Sequence, residues 1–558
     1  MRLVECVPNF SEGRDKGVIA AITAAMEAAG ATVLDVDMGA ATNRTVITMA
    51  GEPEVVEEAA FQAIRTAAAL IDMTRHHGEH PRIGATDVCP FVPLAGTTME
   101  ECVQIARRVG ERVGRELGIP VYLYERAATV ESRRSLAEIR KGEYEGLEAK
   151  LKDPQWAPDF GPAVFVPRSG ATVIGAREFL IAWNINLNTR DKTLASRIAI
   201  KLRETGGPAR GADGERLLDP SGASVQVPGL LPAVRAVGWF IEEYGIAQVS
   251  INLLDFRRTP LHVVFEEAKR LASELGVAVT GSEIVGLVPR EALLQAGRYY
   301  LVRQGASPGA PESELVHMAI RSLGLSDVKP FAPAEKVIEY RMSRDKTTFA
   351  ASSLGAFLDK VSADTAVPGG GSVSALCGSL GAALSAMVAS LTYRRPEFKD
   401  ARAELGQLAC KAQDLKERLA ALITEDSEAY EGVMAAMKLP KNTPEEVAAR
   451  DAAIERANMR AAEVPLATLR ACAEVADLAA HVAATGYKNS LSDAGVAAAA
   501  ARAGAEGAAL NVLINARSLK DGEQAARLAA EAEEALTQAR TAAEKALTTV
   551  RGRLLAQV

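Results

Sequence analysis

The stretch EYRMSRDKTTFAA, residues 339–351, divides the chain into two parts of different character. It is polar and shows neither the alternation of a strand nor the period of a helix, so it predicts a linker. Before it, short runs rich in β-branched residues, such as LVECVPNF (3–10) and AQVSINLLDF (247–256), alternate with helical stretches. After it, from SLGAFLDKVSAD (353–364) onward, Ala, Leu, Glu and Arg dominate. The first part is therefore predicted to be α/β or α+β, and the second all-helical.

The first part is expected to divide again near residue 178, where one strand passes through a glycine-containing loop into the next. The predicted domains are residues 1–178, 179–338 and 352–558, with the linker at 339–351 between the last two. Residues 204–229, rich in Gly, Pro and Asp, are expected to form a long exposed loop.

The totals favour a soluble protein that acts on a small molecule. A chain of 558 residues suits about three compact units. A net charge of −7 argues against electrostatic binding to nucleic acid or to an anionic membrane. The sequence shows neither a secretory signal pattern nor a long uninterrupted apolar run, so a cytoplasmic location is expected. Six scattered cysteines without a CxxC pair predict neither a disulfide framework nor a zinc module.

The stretch HHGEHPRIGATDVCP (76–90) holds three of the six histidines, which suggests either metal ligands or proton transfer. Gly78 and Pro81 disfavour a helix that would align His76 with His80, and the HExxH spacing is absent, so no metal site is predicted. His80 precedes a proline in a loop-like segment, which suits a proton-transfer group. From spacing alone, a surface or structural role for His80 remains open.

Six segments along the chain resemble, in order, the formimidoyltransferase-cyclodeaminase family: LVECVPNFSEG, TNRTV, RHHGEHPRIGATDVCPFVPL, WAPDFGP, PGGGSV and LPKNTPEE. The resemblance implies a bifunctional enzyme of histidine degradation and one-carbon metabolism. Its first half would move a formimino group from N-formimino-L-glutamate to N5 of tetrahydrofolate and release glutamate. Its second half would close the product to 5,10-methenyltetrahydrofolate and expel ammonia. The implied fold is two ferredoxin-like α/β subdomains followed by a helical domain.

The family also implies a homo-oligomer, with polyglutamylated tetrahydrofolate as co-substrate and no metal. It places the catalytic histidine of the transferase at His80 and the assisting aspartate at Asp37. One imidazole with an unperturbed pKa of about 6.5 can take a proton from folate N5 and return one to the glutamate nitrogen. Arg82 and Arg44 are candidate partners for the substrate carboxylates, with structural roles equally open. The folate-contacting segment maps to 161–170, with Gly161, Pro162, Phe165 and Gly170 as binding residues.

In the helical half, the family's cyclodeaminase aspartate maps to Asp426, with Glu425 and Glu428 as neighbours that leave the register to be checked. A carboxyl group whose pKa is raised by burial suits protonation of leaving ammonia. The run PGGGSV places four residues at the start of a long helix, where they either bind an anionic folate group or form an entry loop capped by Ser372. These four residues are Gly369, Gly370, Gly371 and Ser372.

Three further predictions concern the helical half and the overall function. Asp493, in GYKNSLSDAG (486–495), either contacts the pterin or caps a helix. KNTPEE (441–446) predicts a helix cap and first turn. Two alternatives to the bifunctional enzyme are a transferase with a helical dimerisation domain and a folate-binding protein without catalysis.

Overall fold

The computed structural model describes residues 2–40, 42–78, 81–209, 211, 215–220, 222–343 and 348–556. Of these, 2–293 together with 323–343 form one compact unit, and 294–322 together with 348–556 form another. The first unit holds two α/β subdomains and the second is helical, which confirms the predicted fold class.

The first subdomain is a mixed sheet with helices on both faces. Its elements are β1 (Val4–Cys6), β2 (Asn9–Phe10), α1 (Lys16–Ala28), β3 (Thr32–Gly39), β4 (Arg44–Gly51), α2 (Pro53–Leu70), β5 (Thr86–Pro93), α3 (Met99–Arg112), β6 (Val121–Glu125), α4 (Leu136–Arg140), α5 (Leu147–Leu151) and β7 (Thr172–Ala176). β1 and β2 both pair antiparallel with β4 and β5, β3 extends the sheet beyond β4, and β5, β7 and β6 run parallel. A core that includes Phe10, Ile47 and Phe61 lies under α1–α3 on one face, and the short helices α4 and α5 lie on the other.

The second subdomain has the βαββαβ order of a ferredoxin-like fold. Its elements are β8 (Ile181–Leu187), α6 (Lys192–Leu202), β9 (Gly207–Pro208), β10 (Gln226–Val227), β11 (Val234–Ile241), β12 (Ile246–Leu253), α7 (Leu261–Glu274) and β13 (Val279–Val285). The antiparallel sheet has the order β11-β12-β8-β13. β9 and β10 pair inside the segment expected to be a loop, and most described residues of that segment are exposed.

Four helices follow these strands: α8 (Arg290–Arg303), α9 (Glu312–Ser322), α10 (Pro333–Lys336) and α11 (Ile338–Ser343). Helix α11 covers the first residues of the predicted linker. Residues 294–322, which include α9, belong to the helical unit.

The helical unit is completed by α12 (Leu354–Ser362), α13 (Gly370–Tyr393), α14 (Arg402–Met437), α15 (Pro444–Thr485), α16 (Leu491–Ala516) and α17 (Gly522–Leu555). Its helices approach closely because their contact faces carry Ala and Gly. A Cβ at Gly378 would lie 2.6 Å from the Cys472 sulfur, and one at Gly504 would lie 2.7 Å from the Ser374 carbonyl oxygen. Helix α13 is long and apolar enough to cross a membrane, but 61% of its apolar window is buried in this packing, as in a core helix.

Candidate active sites

The loop of His76–Gly78 packs on the turn between β3 and β4. Asn43 occupies the left-handed region (φ 46°), and its side-chain Nδ2 donates to the His77 carbonyl oxygen at 3.0 Å. The Asn43 carbonyl oxygen lies 2.8 Å from His76 Nε2. A Cβ at Gly78 would lie 2.3 Å from the Thr42 carbonyl oxygen, so only glycine allows this approach. The chain leading to His80 is therefore fixed against the hairpin, whereas Glu79 and His80 lie outside the described residues.

His76 is a structural histidine. Its Nε2 faces the Asn43 carbonyl oxygen, and its Nδ1 accepts a hydrogen bond from Arg82 Nε at 3.2 Å. This pairing requires the neutral ring with the proton on Nε2. Burial lowers the pKa of His76, which favours the same form. Among the described residues no group of three or more His, Cys, Asp or Glu side chains could hold a metal ion.

Arg82 uses most of its hydrogen-bond donors within the protein. Its Nη1 donates to Glu143 at 3.0 Å and to Glu145 at 2.9 Å, and its Nη2 donates to Glu145 at 2.6 Å. With the bond to His76, four of the five N–H donors are occupied, and the side chain is only 7% exposed. One N–H is left for a substrate, because three bonds tie Arg82 to Glu143 and Glu145 between α4 and α5 and one ties it to His76.

Asp37 and Arg44 lie on the same face of the first sheet. Asp37 pairs with Val46, and Arg44 pairs with Gly39 on the neighbouring strand, which places the two side chains diagonally. The adjacent Thr45 and Ile47 alternate with them, and Ile47 points into the helix-covered core. Asp37 is exposed.

An ion pair between Asp87 and Arg140 lies on this face at the start of β5. Arg44 Nε donates to Asn9 Oδ1 at 2.9 Å. Asp87 accepts from Arg140 and, at 3.0 Å, from the Ile83 backbone N–H. Asp87 and Arg140 act electrostatically on Arg44, as does Asp37, so all four charges lie in one neighbourhood. Sequence reasoning missed Arg140 because it lies 53 residues from Asp87 and no local pattern links the two.

The segment 161–170 begins and ends on glycines that the backbone requires. Gly161 and Gly170 have φ values of +79° and +64°. A Cβ at Gly161 would lie 2.3 Å from the Ile119 carbonyl oxygen, and one at Gly170 would lie 2.2 Å from that of Ile83. Gly170 also forms a bridge with Gly84, which brings the end of the segment beside the residues that directly precede β5.

Within this segment Phe165 and Pro162 differ in their surroundings. The Phe165 ring packs against Tyr144, with the ring centroids 5.4 Å apart. The Tyr144 hydroxyl donates to the Pro167 carbonyl oxygen at 2.5 Å, and its ring lies 6.0 Å from the Arg82 guanidinium. Pro162 is exposed. Phe165 and Gly170 are thus brought towards Arg82, whereas Gly161 and Pro162 lie two strands away beside β6.

A charged cleft of about 750 Å³ lies where the parallel strands β6 and β7 end. Sequence reasoning missed it, because its residues come from both subdomains. Its ionisable lining side chains are Tyr124, Glu125, Arg126, Arg134, Arg177, Glu178, Glu204, Arg235, Asp255 and Arg258. Five arginines in one cleft can bind an anionic group.

In the helical unit, the Asp426 carboxyl lies against the first turn of α13. The Ser372 hydroxyl lies 3.0 Å from Asp426 Oδ2 and 2.9 Å from the Ile423 carbonyl oxygen. A Cβ at Gly371 would lie 2.0 Å from Asp426 Oδ1. The glycine therefore leaves the space that the carboxyl fills.

The structure also distinguishes Asp426 from its acidic neighbours. Glu425 is ion-paired with Arg418 and with Arg460, the latter at 3.1 Å, and Glu428 is exposed. Burial raises the pKa of Asp426, and hydrogen bonds from the hydroxyl and the backbone N–H of Ser372 oppose that rise. Of the three carboxyl groups, Asp426 has the surroundings of a proton donor.

A cavity of about 560 Å³ lies beside the same turn, between α13 and α16. Gly369 and Gly370 line it together with Ala503 and Gly507, whereas Gly371 and Ser372 contact Asp426 instead. The glycine-rich start of α13 therefore separates the cavity from the acid. The helix cap is Gly369, so the alternative that Ser372 caps this helix is wrong.

Asp493 is not brought to this turn. It lies in the first turn of α16, ten residues before Ala503, which corresponds to about 15 Å along the helix axis.

The cap prediction in KNTPEE is confirmed. The Thr443 side chain accepts a hydrogen bond from the Glu446 backbone N–H, the Glu446 side chain accepts one from the Thr443 backbone N–H, and Pro444 is the first helical residue.

Comparison with known proteins covers both units. The chain is 46% identical over 523 residues to formimidoyltransferase-cyclodeaminase of Rattus norvegicus, which spans 93% of each chain. The chain belongs to the formimidoyltransferase-cyclodeaminase family. Family models match in order at residues 3–177 (formiminotransferase domain, N-terminal subdomain), 182–343 (formiminotransferase domain) and 353–534 (formiminotransferase-cyclodeaminase).

Each half of this formimidoyltransferase-cyclodeaminase family member also resembles a separate protein. Glutamate formimidoyltransferase of Streptococcus pyogenes is 44% identical over 301 residues, which is 54% of this chain and 93% of that protein. Methenyltetrahydrofolate cyclohydrolase of Methylorubrum extorquens is 43% identical over 198 residues, which is 36% of this chain and 95% of that protein.

Proposed function

We propose that the protein transfers the formimino group of N-formimino-L-glutamate to tetrahydrofolate and then cyclises the product to 5,10-methenyltetrahydrofolate with release of ammonia. The observation that carries this proposal is the similarity to the rat bifunctional enzyme across both units. The geometry of Asp426 supports the second activity, because its carboxyl is sheltered yet hydrogen-bonded where a glycine leaves room for it.

For the transfer step we assign His80 as the catalytic group and Asp37 as its assistant. Attack of folate N5 on the amidine carbon gives a tetrahedral adduct. Collapse of that adduct requires N5 to lose a proton and the glutamate nitrogen to gain one, which a single imidazole can mediate. The loop before His80 is held on the hairpin of β3 and β4, the strands that carry Asp37 and Arg44. This supports a joint site on the face of β3 and β4 that is opposite α1–α3.

Substrate binding at this site is assigned to the residues around the same loop. Arg44 and Arg82 would face the substrate carboxylates, with Arg82 contributing its one remaining donor. The folate would lie along the segment 161–170, against Gly161, Pro162, Phe165 and Gly170. The packing of Phe165 near Arg82 supports the second half of that segment more directly than the first.

For cyclisation we assign Asp426 as the acid that protonates the leaving amine. Folate would bind at the first turn of α13, where Gly369 and Gly370 line the cavity, with Gly371 and Ser372 beside them in contact with Asp426. Asp493 is kept as a candidate contact to the pterin, about 15 Å along α16 from the residues that line the cavity.

The finer properties are part of the same proposal. We infer a homo-oligomeric, cytoplasmic enzyme of histidine degradation that prefers polyglutamylated tetrahydrofolate and uses no metal, with a lyase activity in its helical half. The domain boundaries are proposed at residues 1–178, 179–338 and 352–558, with the linker at 339–351.

The first experiment combines purified protein, tetrahydrofolate and formiminoglutamate, and follows methenyl-folate absorbance together with ammonia. His80→Ala is expected to lose formimino transfer by at least about 100-fold, yet to cyclise supplied 5-formiminotetrahydrofolate. Asp426→Asn is expected to do the reverse and to accumulate 5-formiminotetrahydrofolate.

Two control variants each remove the same kind of side chain, a carboxyl group or an imidazole ring, from an exposed position. Glu428→Gln removes an exposed carboxyl from the same helix as Asp426, and His317→Ala removes an exposed imidazole on α9. Both are expected to retain both activities. Retention of both activities by His80→Ala and Asp426→Asn would show that the site assignments are wrong.

A second candidate for the helical unit is hydrolysis of methenyltetrahydrofolate, which is the activity named for the Methylorubrum relative. In hydrolysis, water would add to the same carbon atom from which ammonia leaves in cyclisation. Incubation of the protein with 5,10-methenyltetrahydrofolate in ammonia-free buffer tests this candidate. Loss of methenyl absorbance that depends on Asp426 would favour it, and stable absorbance would exclude it.

A further inference from the structure

The Ser372 hydroxyl lies at the meeting point of three oxygen atoms. It is 3.0 Å from Asp426 Oδ2, 2.9 Å from the Ile423 carbonyl oxygen and 3.3 Å from the Ser427 hydroxyl. Ser372 is fully buried and Ser427 is 3% exposed. A hydroxyl has one proton to donate and two lone pairs to accept with, so its bonding must change when the carboxyl changes its charge.

Both charge states of Asp426 find a partner in this arrangement. When the carboxyl is ionised, the Ser372 O–H donates to Oδ2. When Oδ2 carries a proton, it donates to the Ser372 oxygen, and the Ser372 proton turns to the Ile423 carbonyl oxygen. The distances suit both patterns without movement of any heavy atom.

We propose that Ser372 is the positioning residue that holds the Asp426 carboxyl in one place through both of its protonation states. This inference rests on the proposed cyclodeaminase function. In that reaction, the N10 to carbon bond forms and the N10 proton passes to the carboxylate. The same proton then passes to the amino group, the carbon to nitrogen bond breaks, and ammonia leaves. With its amidine protonated, the folate carries one positive charge before and after the reaction, the adduct is neutral while the carboxyl holds the proton, and the carboxyl returns to its starting state.

The electrostatic surroundings agree with a group that uses both states. Burial raises the pKa of Asp426, which favours the acid form. The hydroxyl and the backbone N–H of Ser372 lower it, which favours the carboxylate. Removal of the hydroxyl therefore takes away a group that stabilises the charged form.

Other serines of α13 lack this arrangement. Ser374 donates to the Gly370 carbonyl oxygen within its own helix at 2.7 Å. Ser379 donates to the Lys416 carbonyl oxygen of α14 at 3.1 Å and is 9% exposed. Ser379 thus makes the same contact between α13 and α14 that Ser372 makes with Ile423, but no contact within the described residues joins it to a carboxyl group. It is the matched control.

The test measures cyclisation of supplied 5-formiminotetrahydrofolate by full-length Ser372→Ala across pH. Loss of a hydrogen bond to a charged group is expected to lower kcat about tenfold, with KM little changed. The acidic limb of kcat/KM, where the carboxyl must be ionised, is expected to move to higher pH, because the carboxylate has lost a donor. Formimino transfer by the same protein should stay at the level of the unmodified enzyme.

Ser379→Ala separates positioning from stability. It is expected to lower the thermal stability of the helical unit by a similar amount while leaving the pH profile of cyclisation in place. A folded Ser372→Ala with an unshifted acidic limb and an unchanged kcat would overturn the positioning role. Asp426→Asn decides the underlying function by itself: if that variant still cyclises, the proposed acid is wrong, whatever Ser372 does.

Discussion

Gly371 is the residue with the least freedom around the proposed acid. Gly371→Ala would place a Cβ 2.0 Å from Asp426 Oδ1, so the carboxyl must move off the turn. Cyclisation is therefore expected to fall by about 100-fold or more, with formimino transfer retained. The two rates are measured separately, with formiminoglutamate for the first step and 5-formiminotetrahydrofolate for the second.

Gly432→Ala supplies the control for this change. Gly432 lies in α14 six residues beyond Asp426, and no atom lies within 4 Å of the position a Cβ would take. Alanine in a helix interior stabilises by about 0.5–1 kcal/mol relative to glycine, so this variant is expected to be active and slightly more stable. Equal activity of both alanine variants would contradict the close fit of the carboxyl.

Glu5 gives the first unit a pH-dependent stability. Burial raises its pKa from 4.5 to about 8, partly offset by Arg177. Between these two values the folded chain keeps a proton that the unfolded chain releases, so stability falls as pH rises through this range. Glu5→Gln removes the titration and is expected to stabilise the unit by about 3 kcal/mol at pH 7, with little change near pH 4.5.

Tryptophan emission during urea unfolding measures this effect, because Trp156, Trp183 and Trp239 all lie in the first unit. Glu27→Gln, at an exposed position on α1, is the control and should follow the pH dependence of the unmodified protein. If Glu5→Gln and the unmodified protein lost stability in parallel from pH 4.5 to pH 8, the carboxyl would not be held neutral.

At the residue scale, the family resemblance placed the cyclodeaminase acid at Asp426, but the residues alone showed no contact that distinguishes it from Glu425 and Glu428. Glu425, Asp426 and Glu428 point in different directions from one helix, and only the position of α13 shows which of them meets Ser372. The pair of Asp87 and Arg140 was out of reach for the same reason, since their contact exists only after the chain has folded.

At the element scale, local signals were predictable and distant packing was not. Thr443, Pro444 and Glu446 form the expected cap because a cap depends on neighbours within four residues. The assignment of residues 294–322 to the helical unit depends on tertiary contacts instead. The Ser390 hydroxyl donates to that of Ser307 at 3.1 Å, and Gln413 Nε2 donates to the Gly309 carbonyl oxygen at 3.2 Å.

Gly309→Val tests whether this segment stabilises the helical unit. A Cβ at Gly309 would lie 2.3 Å from the Ala409 Cβ, so the loop must lift from α14. The overpacked contact is expected to cost about 1–3 kcal/mol. The helical transition seen by circular dichroism should move to lower temperature, while the transition reported by tryptophan emission stays in place.

Gly355→Val, in α12, is the matched control, because no atom lies within 4 Å of its Cβ position. This control should leave both transitions nearly unchanged. A helical transition that is equally stable in Gly309→Val and in the unmodified protein would show that the segment adds nothing to the unit.

For the whole molecule, the division into an α/β part and a helical part was predictable because periodicity and composition change along the chain itself. The resemblance of each half to a separate relative agrees with two chemistries that are separable by substitution. The charged cleft of the first unit was not predictable, because its arginines come from segments as far apart as Arg126 and Arg258.

The alanine and glycine contacts of the helical unit also have a meaning for its evolution. Ala and Gly lose no side-chain rotamer freedom on folding, although each Gly loses more backbone freedom than any other residue. The same side chains have no alternative rotamer, and an enlarged neighbour such as a substituted Gly378 or Gly504 can be accommodated only by separation of the backbones. The unit therefore gains rigidity from a small set of residue types and tolerates few substitutions at its helix crossings.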